Sequence, residues 1–187
     1  MNAAMFRPIA TVAALLVALA GCAPIEAQLG TEGTPTVWAI GDSIMVGAET
    51  HLTELVPAMQ IDAESGRPFS TGIDVLARRL SAGETPDVLV VALGTNAGAS
   101  PAQIDQVMEL AADVDEVIFV NVSVPRDWEG PTNEALAAAV DGSANASLVD
   151  WHGESGAQGR LFRSDGFHPN STGSELWANL IVIEVKN

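Results

Sequence analysis

An aspartate and a histidine three residues apart could form part of a catalytic site in this 187-residue sequence. Asp165 and His168 lie in the stretch "SDGFHPN" (164–170), where a tight turn would direct both side chains to one side. A carboxylate in that position can hold an imidazole in one tautomer and stabilise its positively charged form. The imidazole can then take a proton from a nucleophilic hydroxyl group. The alternative is a surface loop that carries a solvent-exposed histidine.

Ser43 is the candidate nucleophile. It lies in "WAIGDSIMVG" (38–47), where the apolar pattern changes from that of a strand to that of a helix. At such a turn the hydroxyl group is exposed at the edge of the sheet. The backbone N–H lies at a helix N-terminus, where negative charge is stabilised. The alternative is that Ser43 or Asp42 only caps the helix, because serine and aspartate are both common N-caps.

Two other stretches contain residues that could bind a developing oxyanion. Asn96 in "LGTNAG" (93–98) follows a buried apolar run and could donate its side-chain amide. Gly66 in "ESGRPF" (64–69) could offer its backbone N–H, since glycine allows a ligand to approach closely. Both stretches are also ordinary turn sequences, so neither is specific by itself.

The elements that must position these residues alternate between strand and helix patterns. Predicted strands cover residues 36–40, 59–64, 87–93, 116–122 and 146–151. Predicted helices cover residues 43–56, 71–83, 101–114, 131–142 and 171–185. This alternation is typical of βαβ units and a parallel sheet. We therefore predict an α/β fold, a three-layer α/β/α sandwich with a flavodoxin-like five-stranded parallel sheet.

In such a sheet, ligands bind beyond the carboxyl ends of the strands. The candidate residues follow strand ends: Ser43 after the first, Gly66 after the second and Asn96 after the third. Asp165 and His168 come after the fifth strand and before the last helix. We therefore expect all of them to lie together at one edge of the sheet.

The order of these motifs resembles that of the SGNH (GDSL-type) hydrolases, from about residue 35 to the C-terminus. The motifs are a G-D-S, a glycine, a G-x-N and a D-x-x-H. The resemblance implies the SGNH hydrolase fold, with Ser43 as nucleophile, His168 as base and Asp165 as the residue that orients it. Asp150, at the end of the fifth predicted strand, is the alternative acid. Asp165 is preferred because fewer residues separate it from the histidine in the sequence.

The same resemblance implies an oxyanion hole. It would consist of the backbone N–H groups of Ser43 and Gly66 and the side-chain amide of Asn96. The family usually has an acidic residue directly after this asparagine, where Ala97 stands in this sequence. We therefore expect the secondary role of that acidic residue to be absent.

The stretch "VNVSVPRDWEGPTN" (120–133) is similar more narrowly to the extracytoplasmic SGNH domain of peptidoglycan O-acetyltransferases. In it, Arg126 could bind a carboxylate or a sugar oxygen, and Trp128 could stack on a pyranose ring. Alternatively, Arg126 pairs with Asp127 or Glu129, and Trp128 only packs over the following helix.

This resemblance implies serine-dependent O-acyl transfer, most simply O-acetyl transfer, to or from cell-envelope glycans through an acyl-enzyme. The alternatives are an O-acetyl esterase with the same residues and a catalytically silent glycan-binding lipoprotein. In those transferases a multi-pass membrane domain precedes the SGNH domain, whereas this sequence has one short apolar segment. We therefore expect that a separate membrane protein supplies the acyl group or that the chain removes acyl groups. We predict neither a cofactor nor a metal site.

The first residues are typical of an export signal. Arg7 is followed by an apolar run, 9–20, which is short for a membrane span of ~20 residues. The sequence "LAGC" then resembles a bacterial lipobox that ends at Cys22, the single cysteine of the chain. We predict a lipoprotein signal peptide over 1–21, a lipidated Cys22 with a flexible tether to residue 34, and a catalytic domain over 35–187. The alternative is an ordinary signal peptide.

The chain is strongly acidic. It has 24 acidic and 8 basic side chains and a formal net charge of −16 at pH 7. This charge argues against nucleic acid and against an anionic membrane surface as binding partners. The expected location is the outer face of the cytoplasmic membrane or the cell envelope, with membrane contact through the lipid anchor alone.

Overall fold

Five parallel strands form the centre of the computed structural model, which describes residues 33–156 and 159–187. The strands are β1 (Val37–Gly41), β2 (Gln60–Ala63), β3 (Val88–Ala92), β4 (Glu116–Val120) and β5 (Ala146–Val149). Their order in the sheet is β2-β1-β3-β4-β5, and every neighbouring pair is parallel. This is the flavodoxin-like order, so the predicted α/β sheet is confirmed.

Within the described residues, six α-helices connect or follow the strands. They are α1 (Ser43–Leu55), α2 (Phe69–Ser81), α3 (Pro101–Leu110), α4 (Glu129–Asp141), α5 (Trp151–Ser155) and α6 (Ser171–Val185), and a 3₁₀ turn covers Gly159–Leu161. Helix α1 packs beside α6, whereas α3 packs between α2 and α4. The two helix groups cover opposite faces of the sheet and complete the three layers.

The strands bury both of their faces, and each face has its own core. In β1, Ala39 belongs to the core under α1 and α6, which also contains Trp177. Its neighbour Trp38 belongs to the core under α2 and α3, which also contains Phe69. Successive residues of a strand point to opposite faces, so a strand covered on both sides reads as a continuous apolar run. This explains why the strands were visible in the sequence.

Several element boundaries differ from the prediction. Helix α4 begins at Glu129, two residues earlier than expected, because a proline in the first turn of a helix loses no intrahelical hydrogen bond. Trp151 was predicted to end the fifth strand, but it begins the short helix α5, which Asp150 caps. A helix of five residues is too short to show a periodic apolar pattern, so this error was unavoidable from the sequence.

Residues Gly33–Asn187 form one compact unit. Within the described part of that unit, no helix combines the length and the apolar character needed to cross a bilayer. The predicted signal peptide, Cys22 and most of the predicted tether lie outside the described residues.

Candidate active site

Ser43 is the first residue of α1, directly beyond the end of β1. The N-cap of that helix is Asp42, whose Oδ1 accepts a hydrogen bond from the backbone N–H of Ile44 at 3.0 Å. The capping function therefore belongs to Asp42. The hydroxyl oxygen of Ser43 instead lies 3.0 Å from Nε2 of His168.

Asp165 and His168 contact each other within one tight turn. Oδ2 of Asp165 lies 2.9 Å from Nδ1 of His168. Oδ1 accepts hydrogen bonds from the backbone N–H groups of His168, at 3.0 Å, and Phe167, at 3.1 Å. These bonds, that of His168 first, lower the pKa of Asp165 from 3.8 to about 2. The carboxylate is thus ionised and can only accept, so Nδ1 carries the proton and Nε2 is left to accept from Ser43.

Backbone hydrogen bonds hold this turn in place. We call residues 163–170 the acid–base turn. The backbone N–H of Arg163 donates to the carbonyl of His168 at 2.8 Å, which closes the turn. Asn170 caps α6 through Gly173 N–H, and its Nδ2 donates to the carbonyl of Arg160 at 2.7 Å. The position of the imidazole is therefore tied to the start of α6.

Gly66 and Asn96 lie close together at the same edge of the sheet. Gly66 is exposed and has a φ of +78°, a left-handed conformation that favours glycine. Nδ2 of Asn96 donates to the carbonyl of the next residue, Arg67, at 3.3 Å. The amide nitrogen has a second hydrogen, which can point towards a ligand. The predicted oxyanion donors are thus brought together from the ends of β2 and β3.

Arg67 is a further residue at this edge of the sheet, and its sequence position predicts no function for it. The residue is 5% exposed. Its Nη1 donates to the carbonyls of Asp62, at 2.6 Å, and Gly41, at 3.3 Å, and its Nη2 lies 2.6 Å from Oδ1 of Asp62. The side chain therefore ties the turn that carries Gly66 to the end of β1. Arginine is rarely buried, so the inward direction of this side chain could not be predicted from the sequence.

Asp42 also does more than cap a helix. It is 1% exposed, and its Oδ2 accepts a hydrogen bond from the backbone N–H of Thr95 at 3.2 Å. One carboxylate thus joins the start of α1, where Ser43 lies, to the turn that carries Asn96. Burial raises the pKa of Asp42, while the hydrogen bonds from Ile44 and Thr95 oppose that shift. The sequence motif placed this residue correctly but did not reveal its second contact.

The side chain of Arg126 lies close to the acid–base turn. Its guanidinium carbon is 5.9 Å from the centre of the Phe167 ring, and that ring packs 4.2 Å from the ring of His168. Nη1 of Arg126 donates to the carbonyl of Pro125 at 2.9 Å. Among the described residues it forms no ion pair with Asp127, so that alternative is not observed.

Glu129 has other partners as well. Its Oε1 lies 3.6 Å from Nδ1 of His152, and its Oε2 accepts a short hydrogen bond from the backbone N–H of Val124. These contacts connect the start of α4 to the chain after β4 and to α5. In the described part of the chain, the carboxylate does not pair with Arg126.

Trp128 is half-buried and precedes the first residue of α4. Together with Arg126 and Asn96 it borders a pocket of about 280 Å³. A Cβ atom at Gly98 would lie 3.0 Å from the Cβ of Trp128, so glycine allows the two segments to approach. The structure therefore places both predicted substrate-binding residues beside Asn96, a predicted oxyanion donor.

Asp150, the alternative acid, forms its hydrogen bonds with groups other than His168. Its Oδ1 accepts hydrogen bonds from Nδ2 of Asn121 at 2.7 Å and from the backbone N–H of Gly153 at 2.8 Å. These bonds, that of Asn121 first, lower its pKa. The carboxylate in contact with His168 is that of Asp165. Within 33–156 and 159–187, no group of three or more His, Cys, Asp or Glu is placed to hold a metal ion.

Comparison with known proteins gives sequence relatives but no family model that matches the chain. The chain is 32% identical over 151 residues to the putative peptidoglycan O-acetyltransferase YrhL of Bacillus subtilis (strain 168). The match covers 81% of this chain and 24% of the relative. The chain thus spans about a quarter of the length of this curated relative.

Solved structures share the fold at low sequence identity. The C-terminal catalytic domain of Streptococcus pneumoniae peptidoglycan O-acetyltransferase A has a TM-score of 0.68 at 19% identity, over 82% of this chain and 93% of that one. A Clostridium thermocellum family 3 carbohydrate esterase has a TM-score of 0.63 at 17% identity, over 82% and 98%. Sequence similarity and fold together confirm the resemblance seen in the motifs: the chain is similar in sequence to part of a putative peptidoglycan O-acetyltransferase, and it shares the fold of a solved O-acetyltransferase catalytic domain and of a carbohydrate esterase.

Proposed function

We propose that the chain transfers O-acyl groups, specifically O-acetyl groups, to or from cell-envelope glycans through an acyl-enzyme on Ser43. The observation that carries this proposal is the hydrogen-bonded series from Asp165 through His168 to Ser43, with contacts of 2.9 and 3.0 Å. The names of the sequence relatives, which are O-acetyltransferases of peptidoglycan, support the choice of acyl group and of glycan. A silent glycan-binding protein would not need this series of contacts.

The first half-reaction acylates the serine. Nε2 of His168 takes the hydroxyl proton of Ser43 while Oγ attacks the ester carbonyl carbon. The oxyanion is bound by the backbone N–H groups of Ser43 and Gly66 and by Nδ2 of Asn96. The bond between the acyl carbon and the donor oxygen then breaks, and that oxygen leaves with the proton from His168. Ser43 is left as an acetyl ester.

The second half-reaction regenerates the serine. His168 takes a proton from an acceptor hydroxyl, whose oxygen attacks the acetyl carbonyl, and the proton returns to Oγ of Ser43. A sugar hydroxyl as acceptor gives a transferase, and water gives an esterase. The esterase is the second candidate, because Asp165 is exposed and water can reach the site, and because a carbohydrate esterase shares the fold.

The proposal extends to partners and location. Arg126 and Trp128 would contact the glycan, and a separate membrane protein would supply the acyl group for transfer. No cofactor is needed, since serine, histidine and aspartate carry all the chemistry. From the sequence, we also propose export and lipid attachment at Cys22. Mass spectrometry of the membrane-bound protein should find a diacylated cysteine at its N-terminus, and a Cys22→Ser variant should be released from the membrane.

The experiment that tests the function is a partition assay on the purified chain. 4-Nitrophenyl acetate serves as donor, with or without a chitooligosaccharide acceptor, and mass spectrometry follows acetate and acetylated sugar. Ser43→Ala is the control. Because Asp42 provides the cap of α1, this substitution should leave the free energy of unfolding almost unchanged and abolish both products.

The outcomes separate the two candidates. Acetylated sugar that forms at the expense of acetate identifies a transferase. Acetate alone, independent of the sugar, favours the esterase. Full activity of the Ser43→Ala variant would show that the nucleophile is wrong.

A further inference from the structure

The start of helix α4 holds the preceding stretch of chain, which carries Arg126 and Trp128. We call this stretch, residues 122–128 between β4 and α4, the connecting segment. It contains no helix or strand of its own. The hydrogen bonds of a regular element therefore do not fix its course, and its side chains can be placed only through other contacts of its backbone.

Asn133 binds both backbone groups of Val122, the first residue of the connecting segment. Its Oδ1 accepts a hydrogen bond from the Val122 N–H at 2.9 Å, and its Nδ2 donates to the Val122 carbonyl at 2.8 Å. Val122 is buried, and a buried backbone group that loses its partner costs free energy. One amide side chain thus fixes the point at which the segment leaves β4.

Glu129 closes the rest of the connecting segment. Its Oε2 accepts a short hydrogen bond from the backbone N–H of Val124. The carbonyl of Val124 accepts from the N–H of Arg126 at 2.7 Å, and the carbonyl of Arg126 accepts from the N–H of Glu129 at 3.1 Å. Three hydrogen bonds thus join these three residues in a closed loop, and the backbone of Arg126 is part of that loop.

Thr132, in the first turn of α4, binds the turn that follows β3. Its Oγ1 accepts a hydrogen bond from the backbone N–H of Ala99 at 3.1 Å, and the residue is 1% exposed. Asn96 lies in the same turn, three residues before Ala99. The start of α4 therefore fixes the connecting segment relative to Asn96, which borders one pocket together with Arg126 and Trp128.

We propose that Glu129 and Asn133 are positioning residues for glycan binding, which hold Arg126 and Trp128 where these side chains can contact the substrate. The hydrogen bonds of Glu129 and Asn133 are with backbone groups of the connecting segment, so they act through its position. Misplacing a substrate-positioning group by about 1 Å can lower a rate by about 100-fold. The inference rests on the proposed function and adds two residues that do not line the pocket.

The test compares a glycan ester with a small ester that has no sugar. The substrates are an O-acetylated chitooligosaccharide and 4-nitrophenyl acetate, and the measured quantity is kcat/KM for release of acetate by the full chain. In Glu129→Ala and Asn133→Ala, the ratio of the glycan value to the small-ester value should fall about 10-fold, through a higher KM for the glycan. An unchanged ratio, or a fall that is confined to kcat, would overturn the inference.

The ratio and two controls exclude a general loss of structure. Because both values come from the same variant, their ratio cancels any decrease in the amount of folded protein. Glu134→Ala and Asn179→Ala are the matched controls, since both residues are exposed, on α4 and α6. They should keep the wild-type ratio, and a similar fall in either control would contradict a specific role of Glu129 and Asn133.

Conservative variants separate positioning from direct contact with the glycan. Glu129→Gln keeps an oxygen that can accept from the Val124 N–H, so it should recover most of the ratio that Glu129→Ala loses. A ratio as low as that of Glu129→Ala would overturn the inference. If the alanine variants do not fold, Asn133→Asp decides, because it loses only the donor to the Val122 carbonyl. Its ratio should fall about 3-fold, the effect of one hydrogen bond, and an unchanged ratio would refute the inference.

A double-mutant comparison shows which side chains Glu129 acts through. In a background with Arg126→Gln and Trp128→Ala, Glu129→Ala should lower the ratio no further, because the side chains that it positions are gone. If the two effects simply multiply, Glu129 acts on other groups and the inference is wrong.

The outcomes also distinguish this inference from the proposed function. If the wild-type chain hydrolyses both esters and the substitutions leave the ratio unchanged, the function stands and the inference fails. If it does not hydrolyse the glycan ester, the proposed function fails, and calorimetric titration of the chitooligosaccharide into Ser43→Ala still tests the inference. Addition of Glu129→Ala to that variant should weaken its affinity about 10-fold, and equal affinity would refute the positioning role.

Discussion

Two carboxylates beside the proposed nucleophile are held in opposite environments. Asp42 is buried, and each of its oxygens accepts a hydrogen bond from a backbone N–H. Asp165 is exposed, and one of its oxygens accepts two backbone N–H bonds while the other contacts His168. Burial raises the pKa of Asp42, whereas the backbone bonds lower the pKa of Asp165 to about 2.

The difference shows that the number of backbone donors does not decide the ionisation of a carboxylate. Each group accepts two such bonds, so the opposite pKa shifts follow from exposure to water. The exposed Asp165 stays ionised and can stabilise a positively charged imidazole during the reaction. The buried Asp42 instead fixes backbone geometry. One carboxylate should therefore matter more for the chemistry and the other more for the stability of the site.

The largest expected effect is that of Asp165→Asn. The amide can donate to Nδ1 of His168 and so favour the wrong tautomer, and we expect kcat to fall by about 10³-fold to 10⁴-fold. Hydrolysis of 4-nitrophenyl acetate measures this loss. Asp105→Asn, at an exposed position on α3, is the matched control and should keep wild-type kcat. A decrease of less than 10-fold would show that the exposed carboxylate does not act through the histidine.

Arg67→Met tests whether a buried charged side chain, like that of Asp42, positions the site. Arg67 links the ends of β1 and β2, and its carbonyl accepts from Asn96, so its loss should displace the oxyanion donors. We expect kcat to fall by about 10²-fold, the typical effect of losing one such donor. Arg79→Met removes a cation that lies over Trp38 instead, and should have little effect on kcat. Unchanged kcat in Arg67→Met would mean that the donors are positioned without this side chain.

Compared with Asp165→Asn, Asp42→Ala should lower the free energy of unfolding more and kcat less. It leaves the N–H groups of Ile44 and Thr95 without their carboxylate acceptor, at a cost of about 2 kcal/mol in the free energy of unfolding. The effect on kcat should be about 10-fold, because Ser43 and His168 keep their own side chains. Urea unfolding and ester hydrolysis on the same samples measure both quantities. The comparison fails if Asp165→Asn destabilises the chain more than Asp42→Ala does.

The smallest expected effect is on the pH dependence of stability. Between about 2 and 3.8 the unfolded chain binds more protons at Asp165 than the folded chain, so its contribution to the free energy of unfolding rises with pH. Above pH 3.8 the Asp42 carboxyl group stays protonated to a higher pH in the folded chain than in the unfolded chain. The contribution of Asp42 to the free energy of unfolding therefore falls as the pH rises. Urea unfolding at a series of acidic pH values should therefore show opposite changes of slope in Asp165→Asn and Asp42→Ala.

Much of this fold could be predicted because its cause is local. A strand covered on both faces is an apolar run, and the residues directly after it must lie at one edge of a parallel sheet. Ser43, Asn96 and Gly66 were placed by that rule alone. Asp165 and His168 could be paired because only three residues separate them.

The roles of Arg67 and Asp42 could not be predicted in this way. Each depends on burial and on contacts between turns that are distant in sequence, such as that of Asp42 with Thr95. Nothing in "ESGRPF" shows that its arginine points inward. The partners of Glu129 could not be predicted for the same reason, because they lie on two other segments of the chain.

The parallel arrangement of the strands also determines how the domain can be held. The chain enters β1 near Pro35, at the amino edge of the sheet, and leaves it at Gly41, next to the reactive side chains. Five residues of strand separate the two edges by roughly 17 Å. The point at which the chain enters the described domain and the edge that carries Ser43 and His168 thus lie at opposite ends of the sheet. An envelope glycan, the substrate proposed above, would therefore have to approach the domain from the edge opposite to Pro35.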